Sequence, residues 1–136
     1  MVLKKISWIS SYDVNFFDID LQHKLFFRII ERIIEEYNNG NKIQCVNLIS
    51  ELIRYTEFHF SSEENFMIKY HYPEIEIHKR EHKHLLNNLR EKIISLDYDY
   101  INFEEIIPFL FEWFKGHTIT EDKKLASFLN NQKDVN

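Results

Sequence analysis

Apolar and aromatic side chains recur along this chain at helical spacing. From about Asp18 or Asp20, each placed to cap a helix, Phe26, Phe27, Ile30, Ile33, Ile34 and Tyr37 fall on one face, and His23 lies on the same stripe. Asn38-Asn39-Gly40 signals the end. A second helix opens with Asn41 as cap and Gln44 at the capping-box position. Its face carries Leu48, Leu52, Tyr55, Thr56, His59, Phe60 and Glu63. It stops before Tyr72-Pro73, because a residue preceding proline is pushed out of the helical region. A third helix, about Glu74 to Ser95, has its stripe at Ile75, His78, His82, Leu85, Leu89 and Ile93, and Asp97 to Tyr100 reads as a break. Asn102 with Glu105 opens a fourth helix through Ile106, Ile107, Leu110, Trp113, Phe114 and His117, with a bend expected at Pro108. Gly116 reads as an interruption before a short terminal helix from about Glu121 to Leu129. Residues 1–17 have no period and read as an extended arm pinned by Trp8, Tyr12 and Phe16.

Four helices of similar length joined by short connections predict an all-α fold, an antiparallel up-down-up-down four-helix bundle over residues 18–130 with an extended N-terminal arm and a short C-terminal helix. At 136 residues, without linker, repeat or low-complexity stretch, the expectation is one domain spanning 1–136. Only two Gly and two Pro argue against an all-β fold with its many tight turns. A formal charge of -5 opposes binding to the nucleic-acid backbone. No apolar run approaches the roughly 18 residues of a membrane span, so no membrane partner is expected. The single Cys45 and the absence of a signal-peptide pattern in Met1 to Ser10 point to a reducing, cytoplasmic setting and a monomer.

Every helical stripe carries histidine or carboxylate where hydrocarbon belongs: His23, then His59 and Glu63, then His78 and His82, then His117 with Asp122 just beyond. Residues four apart stack on one helix face, so His59/Glu63 and His78/His82 each aim two ligand atoms at one patch of core. Taken singly, each has an ordinary reading: His23 as a hydrogen-bonded core residue, Glu63 as a helix-end acid, Asp122 as a cap. Taken together, five imidazoles and two carboxylates buried without a cation would cost on the order of several kcal/mol per unpaired charge. Seven ligands exceed a closed zinc site, and there is no cysteine pair. Two ions fit better, bridged by Glu63 and Asp122 and by an oxide or hydroxide, with imidazoles divided three and two and one coordination place open. The ligand types suit iron, with manganese or zinc also compatible.

These motifs resemble those of the hemerythrins, in particular the single-domain bacterial type, from Trp8 to Leu129. The matching pieces are Trp8 with Tyr12-Asp13-Val14, Asp20-Leu21-Gln22-His23, His59-Phe60-Ser61-Ser62-Glu63-Glu64 with Met67, Tyr72-Pro73, His78-Lys79-Arg80-Glu81-His82, and Trp113 through His117 to Asp122. The resemblance implies that His78, His82 and His117 bind one iron and His23 and His59 the other, with Glu63 and Asp122 bridging. It also implies dioxygen as the ligand at the open place beside His23 and His59. Asp122 follows His117 by five positions, off the face of an unbroken helix, and the resemblance implies a turn there. Thr118 departs from the isoleucine usual in the family and makes the pocket more polar, while Leu85 replaces a common aromatic. His71 and His84 match no ligand position and read as surface residues.

The implied function is reversible oxygen binding for storage, delivery or sensing, without enzymatic turnover, and with an oxidase or other oxygen-using protein as a partner. The expected cavity wall is Phe27, Ile30, Phe60, Leu110, Trp113 and Phe114. One rival is a di-iron enzyme acting on peroxide or nitric oxide, but oxygen-activating bundles use two Glu-x-x-His elements, and this chain has only the string Glu81 to His84. The other is an oxygen or iron sensor acting in trans, since the chain has no room for an output domain.

Overall fold

The structure is a computed structural model that describes residues 2–94 and 102–133. Its helices are α1 (Phe17–Asn38), α2 (Lys42–Lys69), α3 (Ile75–Ile94), α4 (Phe103–His117) and α5 (Lys123–Lys133), with a 3-10 turn at Ser10–Tyr12 and a π-helical turn at Thr118–Asp122. Among the described residues there is no strand, and the predicted all-α four-helix bundle is observed. α1 packs on α2 and α4, and α2 packs on α3. The expected break at Asp97 to Tyr100 and the expected end of α3 at Ser95 lie outside the described residues.

Burial follows the stripes. On α1 the buried positions are Ile19, His23, Phe26, Phe27, Ile29, Ile30, Ile33 and Ile34, and on α2 they run from Cys45 through Leu52, His59 and Glu63 to Met67. The apolar side chains form two separate clusters. One contains Tyr12, Phe27, Ile33, Leu52, Leu89, Ile106 and Phe114; the other contains Val14, Phe16, Ile19, Met67, Tyr72, Leu125, Ala126 and Leu129. α1 and α2 therefore leave one cluster, pass a polar level and enter the other; α3 reaches the second through the partly buried Ile75, and α4 ends at the polar level, where α5 takes over. The N-terminal arm clips both, Tyr12 in the first and Val14 and Phe16 in the second. Trp8 donates its indole N–H to Asp13 at 3.0 Å and stands edge-on to Tyr12 and Phe27.

The helix ends differ from several expectations. α1 starts at Phe17, so neither Asp18 nor Asp20 is its cap; both fall in the first turn, where the helix dipole favours negative charge. Asp20 instead accepts the Val14 N–H at 2.8 Å and fastens the arm. Asn41 sits at the α2 cap position but forms no side-chain cap bond; its amide donates to Glu36 at 2.6 Å, and Gln44 does not complete a box. Asn102 caps α4 as expected, accepting from the Glu104 and Glu105 N–H groups. Gly116 lies inside α4, and the helical path continues into α5 through the π turn rather than breaking.

α1 and α2 end in the same way. Gly40 takes φ +78°, with Gly40 N–H on Tyr37 and Asn41 N–H on Glu36, while His71 takes φ +54°, with His71 N–H on Ile68 and Tyr72 N–H on Met67. Both are Schellman closures, which require one residue in the left-handed region. Glycine enters that region freely, whereas an L side chain does so at a cost of about 1 kcal/mol. Gly40→Ala meets no steric neighbour and should lower stability by about 1 kcal/mol, and His71→Gly should raise it by a similar amount. Chemical denaturation midpoints of the two variants check both signs.

Candidate metal centre

The polar level between the two clusters holds all seven side chains singled out from the sequence. His23, His59, Glu63, His78, His82, His117 and Asp122 are each between 0% and 5% exposed. Their ligand atoms form two overlapping groups, each able to hold a cation: Glu63, His78, His82, His117 and Asp122 in one, and His23, His59, Glu63 and Asp122 in the other. The carboxylates belong to both, and their two oxygens divide between them. Glu63 Oε1 lies 2.9 Å from His82 Nε2 and 3.4 Å from His78 Nε2, while its Oε2 lies 3.2 Å from His59 Nε2. Asp122 Oδ1 lies 2.9 Å from His117 Nε2 and 3.3 Å from His78 Nε2, while its Oδ2 lies 2.9 Å from His23 Nε2.

Local backbone geometry makes this possible. His59/Glu63 and His78/His82 converge through simple four-residue spacing on α2 and α3. His117 and Asp122 are five apart, and the π turn between them, with i→i+5 bonding, widens the helix so that both face inward. Asp122 precedes α5, which begins at Lys123, but neither of its oxygens makes a cap hydrogen bond and both lie among the histidines.

Three further residues orient the imidazoles. His59 Nδ1 is 2.7 Å from Gln22 Oε1, His82 Nδ1 is 3.2 Å from Glu64 Oε2, and His117 Nδ1 is 3.0 Å from Glu81 Oε1. Amide and carboxylate oxygens accept, so each Nδ1–H donates outward and each Nε2 is turned to the centre. Gln22 is itself held by donation to Ser62 Oγ at 2.8 Å. Tyr55, its hydroxyl pushed up to about 12 by burial, donates to the Gln22 carbonyl at 2.7 Å. The sequence reading missed these roles: Gln22, Glu64 and Glu81 counted only as parts of motifs. The available signal was their position one residue from an inward group.

Electrostatics show what the centre demands. Burial would raise the Glu63 pKa, but the charge on His59 and hydrogen bonds from His117, His59 and His78 hold it well below the carboxylate range. For Asp122, burial and the Glu63 charge push upward and are overcome by His117 and His23, leaving it lowered. Burial lowers His78, yet hydrogen bonding to Asp122 and Glu63 raises it to about 9, and His117 is raised by the same two acids and Glu81. The two buried anions thus favour the protonated form of His78 and His117. Even so, His23 Nε2, His78 Nε2, His117 Nε2, Glu63 Oε2 and both Asp122 oxygens have no well-formed hydrogen bond. A donor set of Nε2 and carboxylate oxygens, inward-facing and under-satisfied, fits a pair of cations.

A cavity of about 20 Å³ adjoins the centre, touching both His23 and His59 but only His117 of the other three histidines, with Asp122, Phe26, Thr56, Phe60, Trp113, Phe114 and Thr118 completing its lining. That is room for about one water-sized molecule. Phe60, Trp113 and Phe114 were expected in this wall. Phe27, Ile30 and Leu110 are not in it: Phe27 turns to Trp8 and Tyr12, and Ile30 and Leu110 lie about a turn further along their helices in the apolar cluster. Phe26 takes their place, stacked on Trp113 and Phe114 at 5.7 and 5.4 Å. Thr118 is 1% exposed and contributes to the wall, as does Thr56, whose hydroxyl donates to the Leu52 carbonyl at 2.8 Å. His71 and His84 are exposed and outside the centre.

Residues 16–129 match the Hemerythrin HHE cation binding domain family. A bacteriohemerythrin of Clostridium acetobutylicum is 28% identical over 123 residues, covering 86% of this chain and 95% of that protein. One of Campylobacter jejuni is 30% identical over 114 residues, covering 81% and 84%, and one of Methylococcus capsulatus is 27% identical over 122 residues, covering 87% and 92%. With the family's domain spanning most of its length and a buried histidine-carboxylate cluster at its centre, the chain belongs to the hemerythrin family.

Proposed function

We propose that this protein binds dioxygen reversibly at a di-iron centre, as a carrier or store rather than an enzyme. His78, His82 and His117 are the terminal ligands of one iron and His23 and His59 those of the other, with Glu63 and Asp122 bridging. The observation that carries this reading is the division of each carboxylate, one oxygen toward each histidine group. When bound, the iron pair supplies the electrons that hold and release oxygen, together with a bridging oxide or hydroxide.

The chain's own residues do the rest. Three imidazoles and two carboxylate oxygens surround one position, while the other is served by two imidazoles, both of which line the cavity against one of the three, so the small molecule is directed to the His23/His59 half. Phe26, Phe60, Trp113 and Phe114 enclose that space and exclude bulk water, which keeps protons away from the ligand. Gln22, Glu64 and Glu81 hold their imidazoles in the tautomer that leaves Nε2 free for metal, and they raise its basicity.

Anaerobic reconstitution with ferrous iron should load two metals per chain and give an absorption band that appears on admitting oxygen and disappears under vacuum. Fewer than two metals, or a band that does not reverse, would overturn the reading. The sharing of ligands predicts unequal mutant effects. Glu63→Gln or Asp122→Asn should lower the metal count toward zero, whereas His59→Ala should lower it toward one, as read by metal analysis after gel filtration. Glu81→Gln and Gln22→Ala should keep both metals but weaken retention against a chelator by about 10- to 100-fold.

A further inference from the structure

The outward face of α1 is unusual for a bundle surface. Phe17, Leu21 and Leu25 are 75%, 46% and 47% exposed and follow one another at intervals of four. On α2, Tyr55 reaches α1 through its bond to the Gln22 carbonyl, and the exposed Phe58 ring stands 5.9 Å from Tyr55, carrying apolar surface toward the next helix. The charges flanking the stripe are sorted by sign: Asp18 and Asp20 at its N-terminal end, Lys24 and Arg28 at its C-terminal end.

We propose that this face docks a second copy of the chain, α1 against α1, antiparallel about Leu21. Residues at intervals of four form a ridge along a helix, and two such ridges interdigitate at a crossing angle near -50°. Antiparallel docking sets Phe17 against Leu25 of the copy and Leu21 against its equivalent. It also brings the acidic end of each stripe to the basic end of the other, whereas a parallel arrangement would oppose like charges. The contact is isologous and closes on itself, so assembly stops at two. Asp20 is held by the Val14 N–H at 2.8 Å, so Asp18 carries the acidic end; on the basic side competing interactions are weak, with Arg28 on Glu35 at 3.0 Å on the exposed surface and Lys24 5.7 Å from the Trp8 ring centroid. A patch built on three apolar side chains belongs to the small, transient class of interface, below about 1,200 Å². The proposal departs from the monomer expected from the sequence, and it is independent of what occupies the interior.

Sedimentation equilibrium of the purified, metal-loaded protein between roughly 10 µM and 1 mM tests it, a range that brackets weak association. The wild-type mass should climb from 16.7 kDa toward twice that value, and Leu21→Asp should hold it at 16.7 kDa throughout. Asp18→Lys should weaken association about tenfold, and combining it with Lys24→Asp and Arg28→Asp, which swaps the two ends, should restore it. Asp18→Lys decides the matter if Leu21→Asp fails to fold. A wild type that stays a single chain across the range would overturn the proposal and assign the stripe to a different protein. A Leu21→Asp dimer, or failure of the end swap to recover what Asp18→Lys loses, would overturn it as well.

Discussion

Two carboxylates with no access to water, Glu63 and Asp122, are the constraint around which this molecule is organised. An anion at such a depth is unfavourable by several kcal/mol unless positive charge and hydrogen bonds surround it, on the order of what a small domain's whole net stability can absorb. All four bundle helices answer that demand by turning histidine inward at the same level. The apolar side chains then occupy what remains, a cluster on each side of the polar layer, so that hydrophobic burial clamps the layer from both ends. The same layer that would be a liability without cations becomes a point of attachment for every helix when they are present.

The layer also explains why groups beside the centre appear where they do. Gln22 on α1 serves His59 on α2, Glu64 on α2 serves His82 on α3, and Glu81 on α3 serves His117 on α4. Each orienting residue is one step in sequence from an inward group of its own helix, which places it about 100° around, at the seam with the neighbour. Orientation is therefore handed from helix to helix, each supporting the histidine of the next. The register of the helices relative to one another and the tautomers of three imidazoles are fixed by the same bonds.

The stripes of α1 to α4, the seven inward polar residues and the closing of α2 before Tyr72-Pro73 were legible in the sequence, because each depends on periodicity or local chain stiffness. The caps were less so. Asp18, Asp20 and Asn41 have the chemistry of caps, but α1 begins before Asp18, and the arm engages Asp20 and Glu36 engages Asn41, which periodicity does not reveal. The five-residue step from His117 to Asp122 advertised an irregularity without saying which; a π turn satisfies it while keeping the backbone hydrogen-bonded, so no break is needed at Gly116. Cavity membership was read from helix stripes alone, which cannot tell Phe26 from Phe27, adjacent in sequence and facing different neighbours.

The asymmetry of the centre follows from how many histidines each helix supplies. α3 gives two: His82 meets Oε1 of Glu63, and His78 lies between that oxygen and Oδ1 of Asp122, which His117 also meets. α1 and α2 give one each, and these meet the opposite oxygens. One half is thereby served by three imidazoles and the other by two, and the cavity beside His23 and His59 is closed by Thr56, Phe60, Phe114, His117 and Thr118. An opening of molecular size beside one half of the centre thus results from the distribution of histidine over four helices. The Thr56 hydroxyl is spent on the Leu52 carbonyl and the wall is almost wholly apolar, so the space favours a small apolar molecule over a polar one.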